Sequence, residues 1–204
     1  PVDFEDWSNA GMSMRFLAGA LNIPFIPFKS MLGTDIIEYN KKIKVTEDPY
    51  GGEQVALLPA AHPEVAIIHV HKADAMGNAQ IMGFIGNDEN KARAAKNTII
   101  TCEEIVSTEE IRQNGNYTMV PFYCVDAVVH LPFGVHPQSC YGSYAYDVLF
   151  CCEYYEKTKT REGFLEWLDN YVYNCEDHIE YCNRVGWDRL HKLRYLERQF
   201  NRTK

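Results

Sequence analysis

The fold is decided by VAIIHVH, residues 65–71, together with NTIITCEEI, residues 97–105. Both stretches are short and rich in β-branched residues, which is typical of buried strands. The nearly continuous apolar run at 65–71 favours a parallel strand that is covered on both faces. Between them, residues 87–97 predict a short polar helix capped by Asn87 or Asp88. Strands that alternate with helices predict an α/β fold with a mostly parallel sheet.

Further elements extend this pattern in both directions along the chain. Apolar runs predict additional strands at 23–28, 55–60 and 124–134. Helical spacing is found at 5–22, with Ser8 as its cap, and again at 107–113, 143–155, 160–173 and 176–200. The stretches 36–54 and 72–80 are rich in polar and turn residues, and they predict irregular surface segments.

The number of strands leads to an expectation about domain organisation. About four strands are well marked, whereas a doubly wound domain has roughly five or six. We therefore expect residues 1–204 to form a single α/β domain that lacks its N-terminal strands, with 160–204 as a helical C-terminal extension. The chain also begins at Pro1 without a starting methionine.

Composition excludes several classes of function. The formal net charge of −8 argues against binding to nucleic acid or to anionic membranes, because both require a basic surface. No apolar run has the length that a bilayer requires, and the acidic N-terminus is unlike a signal peptide. The seven cysteines form no CxxC pattern, which predicts free thiols in a reducing, cytoplasmic setting.

Well-known motifs for cofactors and catalysis are missing from the sequence. It contains no G-x-G-x-x-G, Walker A, G-x-S-x-G or H-E-x-x-H pattern, so we expect no permanently bound cofactor. His69 and His71 point to the same side of a predicted strand and, with Asp74, raise the possibility of a metal site. Without a third ligand of matching geometry that signal is weak, so we expect histidines satisfied by hydrogen bonds and no metal.

Ligands of α/β proteins bind beyond the carboxyl ends of strands, so the segments that follow strands are the first candidates for a site. In SMLGTD, residues 30–35, Ser30 and Thr34 offer hydroxyl groups, and Gly33 allows the backbone to approach a ligand closely. A helix that begins near Thr34 would direct backbone N–H groups toward an anion. A simple capped turn explains the same residues equally well.

Two other segments follow strands. His136 and Tyr141 lie in GVHPQSCYG, residues 134–142, where they could line a pocket, although a structural loop is the simpler explanation. Glu103 and Glu104 end a strand, where a nucleophilic carboxylate could lie. We favour the alternative for this acidic pair, namely acids at the N-terminus of a helix.

Taken together, ALNIPFIPFKSMLGTD, DPYGGEQVALLPAAHPEVAIIHVHKADAMGNAQIMG, TIITCEEIVSTEEIR and CVDAVVHLPFGVHPQSCYG resemble family I coenzyme A-transferases, specifically A subunits of the glutaconate type. The resemblance covers almost the whole chain and fades over about the last fifteen residues. It implies the NagB/RpiA-like α/β fold, a partner B subunit of related fold, and coenzyme A as a substrate.

The resemblance also implies a mechanism. In the B subunit, a glutamate attacks the acyl-CoA and carries CoA as a glutamyl thioester until a small acid, dicarboxylic in the glutaconate type, accepts it. The glycine-rich GGF-type motif and the catalytic-glutamate motif of the family are both absent here, so we expect no nucleophile in this chain. For a transferase subunit of this kind, the first candidates for substrate and CoA binding are Ser30, Gly33 and Thr34, and the second are His136 and Tyr141.

Two alternatives remain open at this stage. Related A-type subunits act in steroid-ring degradation, where they open a cyclic acyl-CoA with water by using an acidic residue that falls near Glu5 or Asp6. The other alternative is a non-catalytic scaffold that supports the B subunit.

Arg15 and Lys29 could bind a second substrate carboxylate, although solvated surface charges are the simpler explanation for both.

Overall fold

The structure is a computed structural model, and it describes residues 3–202. The strands in this range are β1 (Phe25–Phe28), β2 (Lys44–Glu47), β3 (Gln54–Pro59), β4 (Val65–Asp74), β5 (Ala79–Gln80), β6 (Asn97–Val106), β7 (Thr118–Val120) and β8 (Ala127–His130). The α-helices are α1 (Asn9–Ala20), α2 (Asp35–Tyr39), α3 (Asp88–Ala94), α4 (Thr108–Gln113), α5 (Val148–Lys157), α6 (Arg161–Leu168), α7 (His178–Val185) and α8 (Trp187–Arg202). Over the described range, no helix has both the length and the apolar character of a membrane span.

The main sheet has the strand order β7-β5-β4-β6-β8. Strands β4, β6 and β8 are parallel, while β5 pairs antiparallel with β4 and β7 antiparallel with β5. The predicted α/β fold is therefore confirmed, and its sheet is mixed, with a parallel centre. Sequence pattern located β4, β6 and β8 but missed β5 and β7, because runs of two or three residues carry no detectable periodicity.

The two faces of the main sheet differ in how they are covered. One face packs Ile68, Val70 and Ile100 into a core closed by α3. On the other face Val65 and Ile67 remain 50% and 71% exposed. The expectation that both faces of 65–71 are covered is therefore wrong at the start of the strand. Only the carboxyl-terminal end of that face is covered, by the segment after β8 and by the C-terminal helices.

A second, antiparallel sheet has the order β1-β3-β2. Its core contains Met31, Ile43, Ala56 and Leu58, all of them buried. The prediction that 36–54 is irregular is wrong, since this range contains most of α2 and all of β2. Every residue of β2 is exposed, so its strand conformation comes from pairing with β3 and not from apolar patterning.

The C-terminal helices enclose their own apolar cluster. Its members come from these helices and from the segment after β8, and they are Phe133, Cys140, Tyr144, Phe150, Trp167, Cys182, Val185, Leu190 and Leu193. The helix predicted at 176–200 is in fact two helices, which part at Gly186 because its φ of +98° is incompatible with a continuing helix. A π-helical segment, Asp169–Tyr173, follows α6.

The first helix matches its predicted position in part. It begins at Asn9, four residues later than predicted, and Ser8 caps it by accepting a hydrogen bond of 2.9 Å from the Gly11 N–H. Ser107 caps α4 in the same way by accepting from the Glu110 N–H, as predicted. Asn87 precedes α3 without making a side-chain cap hydrogen bond.

The packing of α1 against α3 depends on a glycine. A Cβ atom at Gly19 would collide with the Ala61 carbonyl oxygen and lie 2.9 Å from the Ala94 Cβ. We expect Gly19→Ala to lower the free energy of unfolding by about 1–3 kcal/mol, measured by urea denaturation, because the helices must separate. Gly115→Ala is the control, since a Cβ there meets nothing within 4 Å. Equal stability of the two variants would contradict the assigned packing.

Candidate functional site

A polar cluster lies at the carboxyl-terminal end of β4 and β6, on the face opposite the core. The parallel register places His69 beside Thr101, and Glu103 follows two residues further along β6. His69 Nδ1 lies 2.9 Å from the Thr101 hydroxyl, and Nε2 lies 2.9 Å from Glu103 Oε1. A carboxylate can only accept hydrogen bonds, so Nε2 is the donor in that second contact.

Glu103 is the centre of this cluster and is buried. Besides His69, its Oε1 accepts from the Phe133 N–H at 2.9 Å and from the Tyr144 hydroxyl at 3.0 Å. Burial by itself would raise the pKa of Glu103, but the hydrogen bonds from His69, Phe133 and Tyr144 outweigh it and hold that pKa below its ordinary value. Glu103 is therefore a carboxylate at neutral pH.

The second oxygen of Glu103 faces cationic side chains. Oε2 is buried and accepts no hydrogen bond from the described residues, and Arg194 Nη2 lies 3.7 Å away. The Arg194 guanidinium also stacks on the Phe133 ring, at 4.2 Å from its centroid. A cavity of about 150 Å³ adjoins this pair, and it is lined by Glu103, Glu104, Gly142, Ser143, Arg194 and Arg198.

Cys140 lies close enough to the cluster to raise the question of a metal site. Ligand atoms of His69, Glu103 and Cys140 all lie within 4.8 Å of one another. However, His69 Nε2 already donates to Glu103, and burial raises the pKa of the Cys140 thiol to about 11, which keeps it protonated at neutral pH. A guanidinium 3.7 Å from the carboxylate further opposes a cation. We assign the cluster as a hydrogen-bonded network.

Two sequence interpretations of this region can now be judged. Hydrogen-bonded histidines are confirmed, since His71 Nε2 donates to the Tyr141 carbonyl at 2.7 Å and its Nδ1 accepts from the Met82 N–H. The assignment of Glu103 and Glu104 to a helix N-terminus is wrong. Both lie within β6, because pairing with β4 continues as far as Val106.

Ser30, Gly33 and Thr34 lie together in the turn between β1 and α2, on the smaller sheet. Ser30 is exposed, and the Thr34 hydroxyl donates to the Met31 carbonyl at 2.8 Å. Gly33 has a φ of +77° and open space where a Cβ would lie, so the backbone can approach a ligand there. Helix α2 does begin after Thr34, but it has only five residues, with Asp35 and Glu38 in its first turn. Those acids weaken any attraction for an anion.

The structure places His136 in a different setting, within the segment after β8. Its Nδ1 accepts from the Tyr181 hydroxyl at 2.6 Å, and its Nε2 donates to Asp147 Oδ2 at 3.1 Å. Two nitrogens of the Arg189 guanidinium bind the same Asp147 carboxylate. The ring is buried, and burial lowers the pKa of His136. Both ring nitrogens are therefore occupied, and His136 joins this segment to α7 and α8.

Tyr141 is more accessible than His136. Its side chain is 55% exposed and its ring packs on Gly83, where a Cβ would lie 2.6 Å from the ring. Tyr141 and His136 thus follow the main sheet, whereas Ser30, Gly33 and Thr34 belong to the smaller one. A role for any of the five in binding substrate stays a prediction.

Glu5 and Asp6 border a groove of about 400 Å³ that also includes Phe4, Tyr39, Asn40, Lys41 and Lys42. Glu5 forms an ion pair with Lys42 and accepts from the Trp7 indole N–H at 3.2 Å. These hydrogen bonds, that of Lys42 first, hold the pKa of Glu5 below its ordinary value. The Asp6 carbonyl accepts from the Asn40 amide, which fixes the backbone beside the groove.

Sequence reasoning missed Thr101, Tyr144 and Arg194 as members of the polar cluster. One signal was available for Thr101, because it alternates with Glu103 along a strand predicted to run parallel to the one containing His69. Tyr144 and Arg194 lie far beyond β4 and β6 along the chain, and no local pattern indicates that they fold back against the sheet.

Comparison with known proteins reveals a family match. The family model for coenzyme A transferase matches residues 1–131. The chain is 38% identical, over 211 aligned positions, to the A subunit of glutaconate CoA-transferase from Acidaminococcus fermentans, covering 96% of this chain and 66% of that protein. The crystal structure of that enzyme superimposes with a TM-score of 0.88 over 93% of this chain and 65% of the matched chain.

Two further relatives differ in the activity that their names describe. The A subunit of a 3-oxoadipate CoA-transferase from Pseudomonas knackmussii is 33% identical over 91% of this chain and 65% of its own length. A cholesterol ring-cleaving hydrolase subunit of Rhodococcus jostii is 27% identical over 78% of this chain and 57% of its own. The chain thus spans less than two thirds of the length of each of these relatives.

The polar cluster predicts a pH-dependent contribution to stability. Because the pKa of Glu103 is lowered in the folded state, its carboxylate stabilises the fold above the ordinary pKa of 4.5, and this contribution is lost as pH falls through the folded value. We expect Glu103→Gln to cost about 1–3 kcal/mol at pH 7, measured by urea denaturation, and less at pH 3.

The neighbouring Glu104→Gln is the matched control, because the Glu104 side chain is 64% exposed and lies 3.7 Å from Lys72. A surface change of this kind alters stability by less than about 0.5 kcal/mol. If Glu103→Gln left stability unchanged at pH 7, the assignment of Glu103 as the centre of the network would be wrong.

Proposed function

The chain belongs to the coenzyme A transferase family, and we propose that it is the A-type subunit of an enzyme that moves CoA from an acyl-CoA to a small carboxylic acid. The observation that carries this proposal is the 38% identity, across 96% of the chain, with the corresponding subunit of a CoA-transferase. The resemblance inferred from sequence motifs is thereby confirmed at the level of the family. We propose further that the active enzyme requires a B-type partner subunit.

The buried carboxylates support a nucleophile outside this chain. Three acidic residues are buried in the described range: Asp74, Glu103 and Asp147. Each accepts hydrogen bonds from fixed donors, namely Asn78, His69 and Arg189 respectively. Hydrogen bonds to an ionised carboxylate make it less nucleophilic, and burial keeps a thioester out of reach. We propose that the nucleophilic glutamate belongs to the partner.

The proposed reaction conserves the thioester bond energy through four acyl exchanges. The partner's carboxylate attacks the acyl-CoA carbonyl, the C–S bond breaks, and CoA departs as a thiolate, which leaves an acyl-glutamyl anhydride on the partner. The thiolate then attacks the glutamyl carbonyl, which releases the free acid and forms the glutamyl-CoA thioester. An incoming carboxylate repeats these steps in reverse, accepts CoA and regenerates the glutamate.

This chain would contribute to binding and positioning. In the turn that contains Ser30, Gly33 and Thr34, an exposed hydroxyl lies beside backbone that is open to close approach. Such groups suit the polar parts of a CoA thioester, or the developing oxyanion. Tyr141 offers a further accessible side chain. His136, with both ring nitrogens occupied, would act by holding the segment that bears Tyr141.

The acceptor is proposed to be a dicarboxylic acid. Glutaconate and 3-oxoadipate, the substrates named for two relatives, both carry two carboxylates. The sequence offered Arg15 and Lys29 for the second carboxylate, but both are engaged. Arg15 donates to the Pro59 carbonyl at 3.0 Å and stacks on Trp7, and Lys29 forms an ion pair with Glu53. The second carboxylate would therefore need to displace one of these contacts or bind to the partner.

A hydrolase is the second candidate, because Glu5 lies in a groove and a ring-cleaving hydrolase subunit is among the relatives. In that reaction Glu5 or Asp6 would activate water. A lowered pKa makes Glu5 a weaker base, and its ion pair with Lys42 would have to open first. These features favour the transferase.

The first functional prediction is a strict requirement for an acceptor. The chain, co-expressed with its genomic neighbour as the partner, should consume an acyl-CoA only when a free carboxylic acid is supplied. Hydroxylamine should trap the thioester on a glutamate of the partner, identified by mass spectrometry. Free CoA released without an acceptor, and abolished by Glu5→Gln, would indicate the hydrolase. A trapped glutamate in this chain would refute the assignment of the nucleophile.

The second functional prediction concerns the turn after β1. Thr34→Val should raise KM for the acyl-CoA about 2- to 10-fold, the cost of one lost hydrogen bond, with little change in Tm. Thr46→Val is the matched control, since it is the same substitution at an exposed position of the same small sheet. If Thr34→Val lowered Tm and left both KM and kcat unchanged, the turn would be a structural element of a scaffold.

A further inference from the structure

The C-terminal helices form an aromatic cavity of about 320 Å³ that the proposed transferase reaction does not use. Its walls include the rings of Phe150, Tyr154, Trp167, Tyr171 and Tyr181. The rings hold one another in place, because the centroids of Phe150 and Trp167 lie 5.1 Å apart and those of Trp167 and Tyr171 lie 4.4 Å apart. The cavity is therefore a preformed space.

The chemistry of the walls restricts what can enter the cavity. The Tyr181 hydroxyl already donates its proton to His136 at 2.6 Å, so it cannot donate a hydrogen bond to a ligand. A polar group buried among these rings would lose its hydrogen bonds to water without replacement. The size falls within the range of about 300–1,000 Å³ that is usual for small-molecule pockets. The buried part of a ligand must therefore be apolar.

The aromatic cavity adjoins a polar pocket that shares Trp167 and Tyr171 with it. Lys157 stands at this boundary, with its ammonium 6.0 Å from the centroid of the Trp167 ring. Arg184 also lines the polar pocket, but its guanidinium is bound to the Asn170 and Asn174 carbonyls and to Glu180.

The polar pocket also contains the carboxylates of Glu166 and Asp169. They offset the two cations, so attraction for an anion is confined to the immediate surroundings of Lys157. An anionic group would thus be held close to that ammonium, beside the Trp167 ring that the two pockets share.

We propose that the aromatic cavity binds the hydrocarbon chain of a medium-length aliphatic carboxylate and that the carboxylate lies at Lys157. This site is separate from the turn at Ser30–Thr34, which belongs to the smaller sheet, and the proposal does not depend on the transferase reaction. The hydrocarbon chain of the ligand fills the apolar space, and its carboxylate lies near the Lys157 ammonium.

Isothermal titration of the purified chain with sodium octanoate tests the proposal. We expect saturable binding to one site, weakened at least tenfold by Val172→Trp, because Val172 lines the cavity and an indole would fill it. Val148→Trp is the matched control, since both valines are 53% exposed and Val148 lines a different cavity. Absence of binding, or equal loss in the two variants, overturns the proposal.

Cysteine alkylation locates the ligand without any substitution. Cys151 lines the cavity, whereas the adjacent Cys152 is exposed and does not. Octanoate should slow alkylation of Cys151 by iodoacetamide at least threefold and leave Cys152 unchanged, as measured by mass spectrometry of the peptides. Unchanged alkylation of Cys151 at saturating octanoate would place the ligand elsewhere and overturn the site.

The role of Lys157 is tested separately by comparing head groups. Lys157→Gln should weaken octanoate several-fold and leave octan-1-ol unaffected, because only the carboxylate is attracted by the ammonium. If octanoate and octan-1-ol respond equally to this change, the assignment of Lys157 is wrong.

Discussion

The buried Glu103 carboxylate joins three separate parts of the chain at the carboxyl-terminal end of the main sheet. Its Oε1 accepts from His69 on β4, from the Phe133 backbone after β8, and from the Tyr144 hydroxyl before α5. Removing a carboxylate from water costs several kcal/mol unless fixed donors replace the lost hydration. The fold provides three such donors from three segments, so Oε1 has all its donors only when all three segments are in place. Burial of this one charge therefore couples the end of the sheet to the helices that cover it.

A second buried carboxylate extends the same arrangement outward. Asp147 caps α5 by accepting from the Phe150 N–H, and it also accepts from Nε and Nη2 of Arg189 on α8 and from His136. Burial would raise the pKa of Asp147, but these donors, Arg189 first, lower it to about 2. Through His136 the network reaches the Tyr181 hydroxyl on α7. Tyr181 also lines the aromatic cavity. Its position there depends on its hydrogen bond to His136, which in turn donates to Asp147, the partner of Arg189 in an ion pair.

Local sequence pattern predicts those elements whose stability is encoded locally. The β-branched runs of β4 and β6, together with the Ser8 and Ser107 caps, depend on neighbouring residues and were predicted close to their observed positions. Strand β2 depends on hydrogen bonds to β3, and all its side chains are exposed, so residues 44–47 lack the buried apolar face that marks longer strands. The exposure of Ile67 was missed for a related reason, because an apolar side chain does not reveal whether another element covers it.

Local sequence pattern predicts even less of the candidate site than of the fold. Sequence reasoning selected polar residues in turns, whereas the polar cluster lies within strands and is completed by Tyr144, which is 41 residues from Glu103 along the chain. The sequence shows an acid at position 103, but it does not show that the pKa of Glu103 is lowered, because the lowering depends on donors from distant segments. The lowered pKa bears on catalysis. A carboxylate stabilised by three donors is a structural charge and a poor nucleophile, so the residue that most resembled a catalytic glutamate is the one that the fold has made unreactive. Glu103 and Asp147 are thus committed to joining the main sheet to the C-terminal helices, and neither is free to act as a nucleophile.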